Sequence, residues 1–231
     1  MPLFSVQSHE PVPPLLIRGG GRKLQLKNHS YQPRALLQRT KELFECEKLL
    51  ESTQTICRSK FVNFVKREAK PTQESLQHLM RCLDNFFFSG HLTGGKHRRV
   101  TLEFRPDIFD QIGKLGKGEH AVWGLTEVTD KGDTSALKVK ISIDASHPKL
   151  KRGGIVMRSL IDVLETLVHE MVHAYLRVFV CLCDECQRAL GATGHGAVWQ
   201  ELKQVMSMTI RSWDTTLQNF YLDDWDRLDA S

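Results

Sequence analysis

His169-Glu170-Met171-Val172-His173 sits inside an apolar run from Leu160 to Val180. On a helix, residues i and i+4 lie one above the other with Cβ atoms roughly 5–6 Å apart. Two imidazole nitrogens at that spacing reach one zinc ion at about 2.0–2.1 Å. Glu170, next to the first histidine, is turned partly away from the ligand pair. A carboxylate there contacts a metal-held water without itself ligating the metal, the arrangement that hydrolysis at a zinc centre needs. The chemistry expected is metal-assisted hydrolysis, with His169 and His173 as ligands and Glu170 as the catalytic acid/base.

With ten histidines in 231 residues, the motif can arise by chance, so its surroundings decide how far it is used. Leu160, Leu164, Leu167, Val168, Met171 and Tyr175 recur at three- and four-residue steps, the period of an amphipathic helix. No Gly or Pro interrupts the segment from Ile155 to Leu190. A hydrolytic zinc site takes a third protein ligand and leaves one position open. Metzincins would place Gly at 176 and His at 179, but the chain has Leu176 and Phe179. The remaining candidates are Glu201, less readily Glu185, and His195. Gly194 and Gly196 flank His195 and permit a tight backbone approach, and a helical segment, Ala197 to about Met208, follows. These features favour His195.

Leu164-Glu165-Thr166-Leu167-Val168-His169-Glu170-Met171-Val172-His173-Ala174-Tyr175-Leu176, then Gly194-His195-Gly196 and Trp199, resembles the SprT-like family of zinc metalloproteases. Leu83-Asp84-Asn85-Phe86-Phe87-Phe88-Ser89-Gly90-His91-Leu92 resembles that family's entry segment. The likeness covers roughly Pro71 to Met208. It implies His169, His173 and His195 as Zn²⁺ ligands and Glu170 as catalytic acid/base. It also implies polypeptide substrates bound or crosslinked to DNA, with DNA as activator and a role in DNA repair. Two features depart from the family pattern. Cys181, Cys183 and Cys186 stand between His173 and His195, and the acidic stretch Leu222 to Asp229 lacks the cysteines of a following zinc ribbon.

The elements that must position these residues follow from periodicity. Helices are expected from Arg34 to Leu50, from Thr55 to Ala69, and from Thr72 to a Gly90 cap. Val100, Leu102 and Phe104, then Ala121 to Val128, then Leu137, Val139, Ile141 and Ile143 read as three strands. The fold class expected is α+β. It is a zincin-like metalloprotease domain with N-terminal helices, a small three-stranded sheet, the HExxH helix and a following helix. The divisions expected are a flexible leader (1–33), an N-terminal helical extension (34–70), a metalloprotease domain (71–212) and an acidic C-terminal tail (213–231).

A net charge of +5 and a pI near 8.9 permit nucleic-acid contact without demonstrating it. Lys96, Arg98 and Arg99, with Lys149, Lys151 and Arg152, are the candidate phosphate contacts; Lys138, Lys140 and Arg158 extend the second cluster. No apolar stretch reaches the roughly 18 residues of a membrane span, and the amino terminus lacks a secretory h-region. Six scattered cysteines do not form a secreted-scaffold framework, so a reducing intracellular setting, nuclear or cytoplasmic, is expected. Cys181, Cys183 and Cys186 offer a second metal or redox cluster, though thiolate zinc sites usually take four ligands and the local sequence supplies three. Two alternatives remain: a non-catalytic zinc-binding scaffold, and an intracellular zinc peptidase not linked to DNA.

Overall fold

The computed structural model describes residues 9–13, 26–45, 52–67, 70–94, 98–105, 123–130, 137–147 and 156–221. The order of elements is α1 (Pro33–Glu45), α2 (Ser52–Arg67), α3 (Gln73–Phe87), β1 (Val100–Arg105), β2 (Gly124–Asp130), β3 (Lys138–Asp144), β4 (Ser146–His147), β5 (Val156–Met157), α4 (Leu160–Phe179), α5 (Asp184–Leu190) and α6 (Ala197–Trp213). A 3-10 turn, Thr215–Leu217, follows. The architecture is mixed α+β, with six helices and a small three-stranded sheet among the described residues.

The sheet order is β1-β3-β2. β1 runs parallel to β3, with Val100 opposite Val139 and Leu102 opposite Ile141. β2 runs antiparallel to β3, with Thr126 opposite Ile141. The strand that is second in the chain is therefore an edge, and the third is the centre. Val139, Ile141 and Ile143 are fully buried, as expected of a strand paired on both sides with a helix on one face.

α4 packs against β2 and β3, and α6 packs on α4. Ser159 and Asp162 start α4 with a reciprocal cap: the Asp162 amide donates to Ser159 Oγ (3.1 Å) and the Ser159 amide to the Asp162 carboxylate (3.3 Å). Such pairs satisfy helix-end donors that would otherwise be orphaned. The helix stops at Phe179 although neither Gly nor Pro is there. Val180 turns extended and pairs with Tyr31. Tyr31 donates its amide to the Phe179 carbonyl and accepts the Cys181 amide, so chain from the amino-terminal side takes over the hydrogen bonds of a further turn.

One core runs from Leu26 through Phe220. The described parts of the expected leader and of the expected acidic tail pack on the rest of the chain. Glu10 donates its amide to Ser30, and His29 and Ser30 donate theirs to the end of α4. At the other end, Trp213 meets Phe61, Phe86 and Phe87 with centroids 5.3, 4.7 and 5.8 Å apart, and Leu217 and Phe220 are fully buried. Helices α1 and α2, in the expected N-terminal helical extension, share the core: Leu36, Leu37 and Phe61 lie in it. Apolar side chains placed where neighbours can cover them outweigh the Pro, Gly and charged residues beside them.

Asp84 organises the turn after α3. Its carboxylate accepts from the Leu92 amide (3.0 Å), the Thr93 amide (2.6 Å) and the Thr93 hydroxyl (2.6 Å). Gly90, at φ 77°, caps the helix by donating to the Asp84 carbonyl. No helix of the described residues is long and apolar enough to cross a membrane.

Candidate metal centre

His169 and His173 project from one face of α4, and the loop between α5 and α6 delivers His195 to the same point. The three Nε2 atoms lie 3.2 Å (169 to 173), 2.9 Å (173 to 195) and 3.1 Å (169 to 195) apart. A tetrahedral zinc with Zn–N bonds of about 2.0–2.1 Å sets its nitrogens about 3.3 Å from one another. Hydrogen bonding alone satisfies such a triangle poorly. Each neutral imidazole has one N–H and one lone pair, and three nitrogens meeting at a point leave lone pairs facing each other. A cation at that point resolves the conflict. The donor set thus fits a metal ion, with imidazole suited to zinc among other transition metals.

The loop geometry rests on Gly194, whose φ is 83°. A Cβ there would also stand 3.4 Å from the His173 ring. His195 Nδ1 lies 3.0 Å from the Thr193 hydroxyl, a contact that orients the ring and directs Nε2 inward. Burial, then the neighbouring imidazoles, holds His169 well below its usual range, and burial and His195 bring His173 down to about 3. Both rings are neutral at physiological pH, the form a metal requires. Trp199 closes one side: its ring sits 4.6, 5.2 and 4.4 Å from the rings of His169, His173 and His195. Its ring packs between α6 and α4 and also lines the centre.

Glu170 is buried against β2. Thr126 Oγ1 donates to Glu170 Oε2 at 2.5 Å and also lies 3.1 Å from the Glu170 carbonyl. Burial raises the carboxyl from 4.5 to about 7, against the Thr126 hydrogen bond and Arg177, which lower it. A carboxylate that titrates near neutrality exchanges protons readily at working pH. Gly124 makes the approach possible: a Cβ there would come within 2.6 Å of Glu170 Oε1 and 2.7 Å of the Thr166 methyl group.

The other sequence candidates are placed as follows. Glu201 pairs with Lys41 Nζ at 2.7 Å, and Glu185 is exposed on α5; neither joins the histidines. Arg99 does not face outward as a phosphate contact. Its guanidinium donates to Asn28 Oδ1 and to the carbonyls of His91 and Leu26 at 3.0–3.1 Å, because it ties the amino-terminal segment to the turn after α3. Arg158 is buried too, donating to Thr166 Oγ1 and the Asp162 carbonyl at 2.7 Å. Arg98 is exposed; Lys96, Lys149, Lys151 and Arg152 lie outside the described residues. His91, which has no metal-ligand spacing and would be expected at the surface, is buried with its Nε2 3.3 Å from Arg39.

Cys181, Cys183 and Cys186 form a second group, joined by His9. The four ligand atoms all lie within 4.8 Å of one another. Thr126, Gly124 and His9 are residues that sequence reasoning missed. Local spacing gave no signal for them, since each meets its partner through long-range packing. Compared with protein-family models, curated proteins and solved structures, the chain matches none.

Proposed function

We propose that this chain is a zinc-dependent metalloendopeptidase of SprT-like type on a zincin-like fold. The observation that supports it best is the meeting of three imidazole Nε2 atoms, 2.9–3.2 Å apart, beside a buried carboxylate that does not join them. A purely structural metal site has no need of such a carboxylate. His169, His173 and His195 would hold Zn²⁺, which when bound supplies a Lewis acid for the scissile carbonyl and makes a water acidic near neutral pH.

Glu170 then does the proton work. Thr126 holds Oε2, so Oε1 receives the proton of the attacking water and passes it to the departing amine. β2 supplies the second requirement. It is an edge strand and lies directly against Glu170. An extended polypeptide added along it by main-chain hydrogen bonds would pass the site with little regard for side chains. Proteins bound or crosslinked to DNA are the substrate class the SprT-like resemblance suggests. Among the described candidates Arg98 and Lys138 are exposed and free to meet phosphate.

The test is hydrolysis of a DNA-binding protein by the zinc-loaded chain, with and without single-stranded DNA. Glu170→Gln is expected to keep its metal and lose roughly 10²–10⁴-fold in kcat. Undiminished turnover in that variant rejects the peptidase mechanism. Cleavage indifferent to DNA leaves a zinc peptidase without the DNA link.

A further inference from the structure

The α4–α5 corner carries a ligand set that the peptidase reading does not use. Cys181 follows the Val180–Tyr31 bridge, Cys183 caps α5 and Cys186 lies in its first turn. His9, 174 positions before Cys183 in the chain, brings Nε2 to 3.5 Å from Cys183 Sγ and 3.3 Å from Cys186 Sγ. A tetrahedral zinc with Zn–S of about 2.3 Å and Zn–N of about 2.0–2.1 Å separates sulfur from nitrogen by about 3.5 Å. The match extends to the surroundings. His9 Nδ1 lies 3.2 Å from the Gln32 side-chain amide, a partner that fixes the ring with Nε2 turned inward, as metal-ligating histidines require. The Cys183 amide donates to Cys181 Sγ at 3.4 Å, a hydrogen bond that stabilises a thiolate. Cys186 and Cys181 are 2% and 7% exposed, so water has little access to their sulfurs.

We infer that His9, Cys181, Cys183 and Cys186 form a second, structural metal site that binds Zn²⁺ through four protein ligands. Four protein ligands leave no position for substrate, and three thiolates favour a soft or borderline cation over magnesium or calcium. Its role follows from what it joins. Segment 9–13 already reaches the core, with the Glu10 amide on Ser30 and the Arg39 side chain on the Pro13 carbonyl. A metal at His9 fastens that segment to the start of α5, and α5 leads directly into the glycine loop that presents His195. The second ion would therefore hold the chain start and brace the loop of the first.

Metal analysis of the full-length reduced chain, paired with cobalt(II) substitution, tests this. Two zinc ions per chain are expected. The cobalt form should show thiolate-to-cobalt charge-transfer absorption, which three imidazoles cannot produce. His173→Ala should lose one equivalent and keep that absorption; the double variant Cys183→Ser/Cys186→Ser should lose the absorption and keep the other equivalent. His9→Ala should weaken the thiolate-bound ion at least tenfold and open the amino-terminal segment to trypsin. If the double variant does not fold, the wild-type and His173→Ala spectra still decide. One equivalent in the wild type, lost with His173→Ala and without thiolate absorption, overturns the site. Unchanged affinity in His9→Ala removes His9 from it.

Discussion

At the scale of single residues, the centre turns on how Glu170 is held. Its carboxyl is pushed up to about 7 by burial, and the Thr126 hydroxyl pulls it back by favouring the charged form. A bound cation pulls in the same direction as Thr126. In the proposed reaction Glu170 must be ionised to accept a proton, so kcat/KM should rise with pH through its transition, at or below about 7 in the wild type. Thr126→Val keeps the shape of the side chain and removes the donor. Its acid limb should move to higher pH, with about a tenfold loss of rate below the transition and little loss well above it. A pH profile of peptide hydrolysis checks this. A uniform loss at every pH, with the limb unmoved, would make Thr126 a packing residue only.

Among elements, the contact that matters most is β2 on α4, and Gly124 leaves no room there for a side chain. Gly124→Ala places a methyl group where Glu170 Oε1, Glu170 Cγ and the Thr166 methyl group already stand, at 2.6–2.7 Å. Either the strand lifts or Glu170 swings. Overpacking of this kind costs typically 1–3 kcal/mol, and displacement of the acid/base by about 1 Å costs on the order of 10²-fold in rate. The variant should still bind a metal ion, since the three histidines lie on α4 and the α5–α6 loop; parallel metal and activity measurements separate the two effects. Wild-type activity would mean that β2 does not position Glu170. The same contact marks where the sequence stops being legible. His169, Glu170 and His173 were readable because a helix fixes their relations within five residues, and His195 because glycines announce its loop. Two strands were readable from period two and a third from its place between them, but their order was not: the chain's second strand became an edge, and its register put Thr126 on Glu170. The Cys181–Cys186 cluster looked one ligand short because His9 lies 174 positions from Cys183. Arg99 and Arg158 read as surface charge, since composition carries no record of the carbonyls that surround them.

For the whole molecule, the two kinds of buried titratable group in the centre oppose each other as pH changes, and the balance can be worked out. His173 falls from 6.5 to about 3 on folding, and His169 falls well below its usual range. Between roughly pH 3 and 6.5 the unfolded chain binds a proton that folded His173 refuses, and His169 acts in the same direction, so their contribution to stability is present above 6.5 and is lost on acidification. Glu170 does the reverse. Raised from 4.5 to about 7, it is protonated in the folded metal-free chain over a range where the unfolded chain is ionised. Its contribution is present below 4.5 and is lost as pH rises through 7. With two histidines against one glutamate, the metal-free chain should lose stability on acidification below 6.5, and more steeply below 4.5, where Glu170 no longer opposes them. At pH 8 the ionised Glu170 destabilises the metal-free fold by up to roughly 3 kcal/mol. Glu170→Gln should therefore be more stable than the wild type at pH 8 by about 1–3 kcal/mol once zinc is stripped, and equal to it near pH 4.5. Zinc should narrow the gap at pH 8, because its charge makes the carboxylate welcome. Urea midpoints of both proteins, chelated and zinc-loaded, at the two pH values measure this. A Gln variant no more stable than the wild type at pH 8 would show that Glu170 is held for structure. A gap that closes on acidification or on zinc loading is what a buried acid/base retained at the expense of stability requires.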